Sequence, residues 1–371
     1  MSDEEPFTIA IPQASLDALA EKLALVTFPT AAPESDHEWD YGVPLRDMER
    51  LVARWKEGFD WRVAESELNA SLPQFTRLID VEGHGLFTAH YVHKKRPGHF
   101  AEVRKILSAL TSPTETDAPA FHVVAPSLPG FGFSSAPTKG GFAAPQFAEI
   151  AQQMATTYTK HVKAWHTNYQ GASEPKLTHT PLLWLRNLIT PYSIRDQQGF
   201  ARSRWFTDRG EGYFQLQSTK PQTLGYSLAD SPAGLLAWIY EKLVNWTDDY
   251  SWEDDEVLAW VSLYVFSASG PASSVRIYYE IKNSGRLVNF YDKYSRVPLG
   301  ISYFPREIRV VPKLWGRTLG KVVFESVHEN GGHFASYEAP EALVGDLRKM
   351  FGKGGKAYRV VKDKDGYGDM M

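Results

Sequence analysis

Apolar positions in the N-terminal part of the chain recur with the period of an α-helix. The first such run follows Ser15, which we interpret as a helix cap. Its apolar members are Leu16, Leu19, Leu23 and Val26. A second run has the same spacing at Met48, Leu51, Val52, Trp55 and Phe59. Tryptophan-rich stretches without a period occupy residues 37–42 and 59–62. We therefore predict a meander over residues 1–73 that buries its apolar side chains against another part of the chain.

From Gln74 onward the pattern alternates between apolar and polar residues. Residues 75–80 and 86–92 are predicted strands of a hairpin, and residues 121–125 form a predicted buried strand. Two helices are predicted between and after these strands. Their apolar residues are Val103, Ile106, Leu107 and Leu110 in one, and Phe147, Ile150, Ala151 and Met154 in the other. A further short strand is predicted at 162–165.

The pattern then becomes helical and aromatic over residues 169–284, where Ser231, followed by proline, marks a helix start. We interpret this insertion as a lid. Alternation returns at 297–303 and 321–327, before a helix that opens at Pro340 and carries an apolar face. The lid thus interrupts a pattern of strands and helices that resumes after it.

Helices that alternate with short strands predict an α/β fold with a mostly parallel sheet and helices on both faces. We divide its core into residues 74–168 and 285–352, on either side of the lid at 169–284. A lysine- and glycine-rich tail at 353–371 is predicted to be mobile.

Composition narrows the class of partner. The 40 basic and 44 acidic residues are scattered, with a net charge of −4, so no nucleic-acid partner is expected. The absence of cysteine excludes disulfides, a thiolate nucleophile and sulfur-based zinc sites. The acidic N-terminus is not a signal peptide and no apolar run reaches bilayer length, so we expect a soluble cytoplasmic protein without a membrane span. Abundant aromatic residues suit either an apolar pocket for a small molecule or ordinary core packing.

One histidine stands out near the C-terminus. His333 follows two glycines in Glu329-Asn330-Gly331-Gly332-His333-Phe334, at the end of the last predicted strand. Histidine is suited to accept a proton near neutral pH, although a structural turn explains the same pattern. No Gly-x-Ser/Asp-x-Gly motif occurs in the chain to supply a nucleophile on a strand-to-helix turn.

Three stretches together resemble the microsomal-type epoxide hydrolase family of the α/β-hydrolase superfamily, most closely its soluble fungal members. They are Trp-Asp-Tyr-Gly at 39–42 with Phe-Asp-Trp at 59–61, His-Val-Val-Ala-Pro-Ser-Leu-Pro-Gly-Phe-Gly-Phe-Ser at 122–134, and Gly-Tyr-Phe-Gln-Leu-Gln-Ser-Thr-Lys-Pro at 212–221. The resemblance extends over residues 6–352.

In that family an aspartate attacks the epoxide while two lid tyrosines hydrogen-bond its oxygen, and a histidine paired with an acid activates water. The resemblance implies that His333 is the base and that Glu307 is the acid that orients it. It implies Tyr213 and Tyr278 as the oxygen-holding pair, with Tyr279 as a competitor for the second position. It implies neither a cofactor nor a metal.

Two family segments have no counterpart in this sequence. Lys94-Lys95-Arg96 is joined directly to Pro97-Gly98, where the family has its oxyanion loop. Only residues 159–161 separate a helix from the strand near Val162, where a strand, elbow and helix need about 20 residues. The nucleophilic aspartate is therefore absent, and the predicted sheet is shortened by two central strands. Its remaining strands must close up or leave peptide groups unpaired.

Three interpretations follow for an epoxide-hydrolase-like protein that would convert a hydrophobic epoxide to a vicinal diol, in secondary metabolism or detoxification. In the first interpretation the chain is a shortened product with little or no activity, because it lacks the nucleophile that the covalent mechanism needs. Alternatively, Glu307 and His333 activate water for direct attack. In the third interpretation it is a non-hydrolytic binding or cyclisation protein with an aromatic pocket. The sequence leaves a homodimer open.

Overall fold

The computed structural model describes residues 4–35, 37–94, 104–115, 117–156, 162–284 and 294–367. The N-terminal elements are strand β1 (Glu5–Phe7) and helices α1 (Gln13–Ala24), α2 (Leu45–Glu57) and α3 (Trp61–Ser71). The proposed cap at Ser15 is wrong, because α1 begins after Pro12, which makes no side-chain cap bond. The stretch 59–62 is also more regular than expected, since Asp60 caps α3 by accepting a hydrogen bond of 2.8 Å from the backbone N–H of Arg62.

An antiparallel sheet follows in the order β1-β2-β3-β4. Its further strands are β2 (Gln74–Val81), β3 (Gly85–Lys94) and β4 (Val123–Pro126), and its helices are α4 (Leu107–Thr111) and α5 (Ala144–Thr156). The predicted hairpin is confirmed, because β2 and β3 pair from Gln74 opposite Val92 to Val81 opposite Gly85.

The segment 169–284, the predicted lid, is helical in its described residues, as the pattern predicts. It contains α6 (Pro181–Ile189), α7 (Ile194–Trp205), a π-helical turn (Phe206–Gly210), α8 (Gly212–Gln217), α9 (Pro221–Asp230), α10 (Pro232–Asn245), α11 (Asp254–Val265) and α12 (Ile277–Asn283). Ser231 caps α10 by accepting a bond of 3.0 Å from the N–H of Gly234, which confirms that start. Helices α1 and α2 bury their apolar faces against α10 and α11 in one cluster.

A second sheet has parallel strands in the order β5-β6-β7, with β5 before the predicted lid and the other two strands after it. Its strands are β5 (Trp165–Thr167), β6 (Ser295–Tyr303) and β7 (Gly320–Val327), with helices α13 (Lys313–Gly316), α14 (Ala335–Glu338) and α15 (Pro340–Phe351). Residues 353–367 continue as turns, and the N–H of Ala120 donates to the carbonyl of Gly366 at 2.9 Å. Mobility of this tail stays a prediction.

The expected single sheet is present as two sheets, although the α/β-hydrolase fold class is confirmed by the comparisons below. Among the described strands, no ladder joins β4 to β5. The two sheets are instead connected through helix packing. Leu343 and Val344 of α15 share a core with Ile106 and Leu110. Closure of the shortened sheet by strand pairing is therefore not what the structure shows.

The two junctions, at residues 96–97 and 159–160, lie outside the described residues. In the part of the chain that the structure describes, no helix combines the length and apolar character that crossing a bilayer requires.

Candidate active site

The loop after β7 brings a histidine and a buried carboxylate together. His333 Nδ1 lies 2.6 Å from Oε1 of Glu307, whose side chain is fully buried. Asn168 Nδ2 donates to Glu307 Oε2 at 3.2 Å and to the His333 carbonyl at 3.0 Å. The N–H of Ile308 donates to Glu307 Oε1 at 2.7 Å. These bonds orient the carboxylate, which holds Nδ1–H and makes Nε2 the basic nitrogen of the ring.

Both glycines before His333 are required by close packing. Gly331 has φ +107°, and a Cβ there would lie 2.6 Å from Cδ1 of Phe304. A Cβ at Gly332 would collide with the carbonyl oxygen of Trp246, which also accepts the His333 N–H at 2.8 Å. The glycine pair thus forms a structural turn, and this turn also positions His333.

The two tyrosines expected to hold an oxygen meet in the lid. The rings of Tyr213 on α8 and Tyr278 on α12 have centroids 5.8 Å apart, edge to face. Tyr278 faces the cavity described below, whereas Tyr279 is 42% exposed. Trp246, just after α10, contacts both groups: its ring lies 5.2 Å from Tyr213 and 5.2 Å from His333. Trp246 therefore packs against both the tyrosine pair and the base.

A cavity of about 90 Å³, the lid cavity, is enclosed by lid helices and the loop at His333. It is lined by Phe131, Tyr213, Gln217, Leu228, Leu235, Trp238, Ile239, Lys242, Leu243, Trp246, Trp260, Tyr264, Pro271, Ser274, Val275, Tyr278 and Phe334. His333 reaches this lining through ring contacts with Trp246 and Phe334. A larger groove of about 340 Å³ between α1 and α10 lacks these groups, so we place the chemistry in the lid cavity.

Burial shifts three titratable groups around the site. It raises the pKa of Tyr213 far above its usual range, with smaller contributions from Tyr278, Tyr169 and Glu211, so this phenol stays protonated and can donate a hydrogen bond. It lowers the pKa of Lys242 to about 8. It also raises the pKa of Glu338 to about 7.

Sequence reasoning missed Asn168, Trp246 and Asp248. Asp248 Oδ2 accepts the N–H of Gly331 at 2.9 Å, and its Oδ1 lies 3.2 Å from Arg306 Nε, so it holds the histidine loop from the lid side. Asn168 could have been predicted from the sequence, because it follows β5. Polar residues at the carboxyl ends of parallel strands converge on sites in α/β folds. Nothing in the sequence indicated that Trp246 belongs to the site, because a tryptophan after a helix is typical of core packing.

A model for the epoxide hydrolase N terminus matches residues 4–107. A putative epoxide hydrolase of Stigmatella aurantiaca is 36% identical, over 93% of this chain and 84% of the relative. This chain belongs to the epoxide hydrolase family. Epoxide hydrolase 1 of Sus scrofa is 30% identical, over 94% of this chain and 88% of that protein.

Solved epoxide hydrolases have the same fold. The Aspergillus niger enzyme superposes with a TM-score of 0.77 at 29% identity, covering 93% of this chain and 95% of that one. Juvenile hormone epoxide hydrolase from the silkworm Bombyx mori has a TM-score of 0.79 at 23% identity, covering 94% and 93%, and supports the fold alone.

The match to the Stigmatella aurantiaca relative also shows that this chain is internally shorter than that protein. The match to the Stigmatella aurantiaca relative extends over 381 positions and covers 93% of 371 residues, which is about 345. About 36 positions of that epoxide hydrolase therefore face gaps in this chain. Among the described residues that line the lid cavity, none is an aspartate or glutamate.

Proposed function

We propose that this chain binds a hydrophobic epoxide in the lid cavity and hydrolyses it slowly to a vicinal diol, with water as the direct nucleophile. The proposal is supported by the contacts of Trp246 with both sets of groups. Its ring lies 5.2 Å from Tyr213, which packs against Tyr278, and 5.2 Å from His333, which pairs with Glu307. Family membership supports epoxide chemistry for this arrangement.

Hydrolysis by direct attack of water needs no covalent intermediate. Water attacks an epoxide carbon and gives its proton to Nε2 of His333, while the carbon–oxygen bond breaks. The epoxide oxygen takes a proton from a tyrosine, and the imidazolium returns one proton to that tyrosine through solvent. General-base catalysis contributes about 10² to 10⁴-fold, so turnover is expected to be slow. Oxygen stabilisation by the tyrosines adds to this as charge develops.

A second candidate is a non-hydrolytic protein that binds an aromatic epoxide or cyclises it with a nucleophile from the same ligand. It is favoured by the cavity lining, which combines two phenols with aromatic rings and lacks a carboxylate among the described residues. A cavity of this character suits ligands of secondary metabolism as well as xenobiotic epoxides. It is the outcome to accept if an epoxide stabilises the chain without being consumed.

The first test uses styrene oxide and measures phenylethanediol. Tyr213→Phe and Tyr278→Phe are each expected to lower kcat about 10²-fold, because each removes a donor to the developing oxyanion. Tyr279→Phe is the matched control and should keep the parent rate, since its ring is exposed beside Tyr278. Equal rates in all three variants contradict the assignment. An alkyl-enzyme ester detected by intact mass would rule out direct attack by water.

A further inference from the structure

A single lysine lies among the described residues that line the lid cavity. Lys242 is on α10, with its side chain 14% exposed and its ammonium in an ion pair with Glu241. Its Nζ lies 5.0 Å from the ring centroid of Tyr213 and 5.3 Å from that of Trp238. Burial of an ammonium is costly, so a lysine at this depth depends on these partners.

The position over the Tyr213 ring has an electrostatic consequence. A phenol that donates to the oxygen of an opening epoxide gains negative charge as the proton shifts toward that oxygen. A cation over the ring stabilises this charge, and the low polarity of the cavity strengthens the effect. Lys242 is therefore placed to favour the transition state more than the bound substrate.

We propose that Lys242 acts through Tyr213, and that its charge makes this phenol a stronger hydrogen-bond donor to the epoxide oxygen. The inference rests on the proposed function, since it names a residue that tunes the same reaction. Lys242 is a positioning residue in this scheme and forms no bond to the substrate.

The groups around Lys242 determine the pH range in which its ammonium is charged. Glu241 pairs with it from its own helix, while Tyr213 of α8, Tyr264 of α11 and Tyr278 of α12 line the same cavity. Burial lowers the pKa of Lys242 to about 8, so the charge is present below pH 8 and lost above it. The phenol of Tyr213 stays protonated there, because burial raises its pKa. The rate is thus expected to fall as pH rises through about 8.

Two substitutions test this with styrene oxide. Lys242→Met is expected to lower kcat about tenfold at pH 7 with little change in KM, a size typical of a desolvated cation–π contact. Lys242→Arg should recover most of the rate and abolish the fall above pH 8, because a guanidinium stays charged. The control is Lys282→Met, whose ammonium lies 5.6 Å over Phe214, a ring without a hydroxyl. A wild-type pH profile in Lys242→Met overturns the inference.

A binding measurement separates this inference from the proposed function. The anion of 4-nitrophenol mimics the negative oxygen of an opened epoxide, and its absorbance reports binding without turnover. Lys242→Met is expected to weaken nitrophenolate binding about tenfold at pH 7, and Lys282→Met to leave it unchanged. If wild type binds nitrophenolate in this Lys242-dependent way but hydrolyses no epoxide, the proposed function fails and the electrostatic role stands. Equal nitrophenolate affinity in both variants overturns the role.

Discussion

The carboxyl of Glu307 is the most constrained group at the site. It is fully buried and accepts bonds from His333, Asn168 and the N–H of Ile308. A buried carboxylate with this many donors stabilises the imidazolium that forms when His333 takes a proton. Its neighbours come from β5, the loop after β6 and the loop after β7, so the dyad exists only in the folded chain.

We expect Glu307→Gln to lower epoxide turnover at least about 10²-fold, because the amide keeps the shape but removes the charge that stabilises the imidazolium. The measurement is diol formation from styrene oxide, with circular dichroism to confirm folding. Glu329→Gln provides the control, since that carboxyl is exposed and pairs with Arg195 at the surface. Unchanged turnover in Glu307→Gln would mean that His333 works without an orienting charge.

At the scale of elements, α10 connects stability with chemistry. Its N-cap is Ser231, its buried face contributes Leu235 and Leu236 to the core under the meander, and its C-terminal end presents Lys242 to the lid cavity. The same helix therefore contributes both to the core and to the lining of the lid cavity.

Ser231→Ala is expected to lower the free energy of unfolding by about 1 kcal/mol, because it leaves the N–H of Gly234 without its cap. Ser15→Ala is the matched control and should lie within about 0.5 kcal/mol of wild type, since Ser15 is exposed and caps no helix. Urea denaturation measures both. Equal effects would show that the Ser231 bond contributes nothing measurable.

The whole molecule is held across its divided sheet by α15. Asp346 of that helix accepts a bond of 2.5 Å from Ser302 of β6 and lies 2.6 Å from Nε2 of His328. His166 of β5 joins the same group through Ser302 at 2.9 Å. This network ties α15 to the parallel sheet, while Leu343 and Val344 tie it to α4 beside the antiparallel one.

Several buried groups with shifted pKa values contribute to the pH dependence of stability of the whole molecule, and two of them, His166 and Glu338, act with opposite sign. Burial lowers the pKa of His166 to about 4, so between about pH 6.5 and 4 the unfolded chain binds a proton that the folded chain lacks, and stability falls as pH falls. Burial raises the pKa of Glu338 to about 7, so the folded chain holds the extra proton between about pH 7 and 4.5, and stability rises as pH falls.

We therefore expect His166→Asn to flatten the acid-side loss of stability and Glu338→Gln to steepen it. Each change should alter the slope by up to about 1.4 kcal/mol per pH unit over its window. Urea unfolding at pH 7, 6 and 5 measures the slopes, and each variant serves as the control for the other. Parallel curves for both would contradict these protonation states.

Particular elements show how far the sequence could be read. The period of α2, the capped start of α10 and the β2–β3 hairpin were predictable, because each depends on residues within a dozen positions. The cap at Asp60 was missed because a polar residue in an aromatic stretch resembles a loop. His333, Glu307, Tyr213 and Tyr278 were predicted as site residues through a family resemblance, and in the structure Trp246 contacts His333 and Tyr213.

The sequence by itself determined three features. Residue periods predicted the local elements, motifs indicated the family, and missing segments indicated a shortened core. Only the tertiary structure decided that the core divides into two sheets and that α15 joins them. It also decided that Trp246 packs against both His333 and Tyr213 and that Lys242 lies over Tyr213. These contacts join residues far apart in the chain, and which of them form depends on the packing of the whole molecule, which no local pattern encodes.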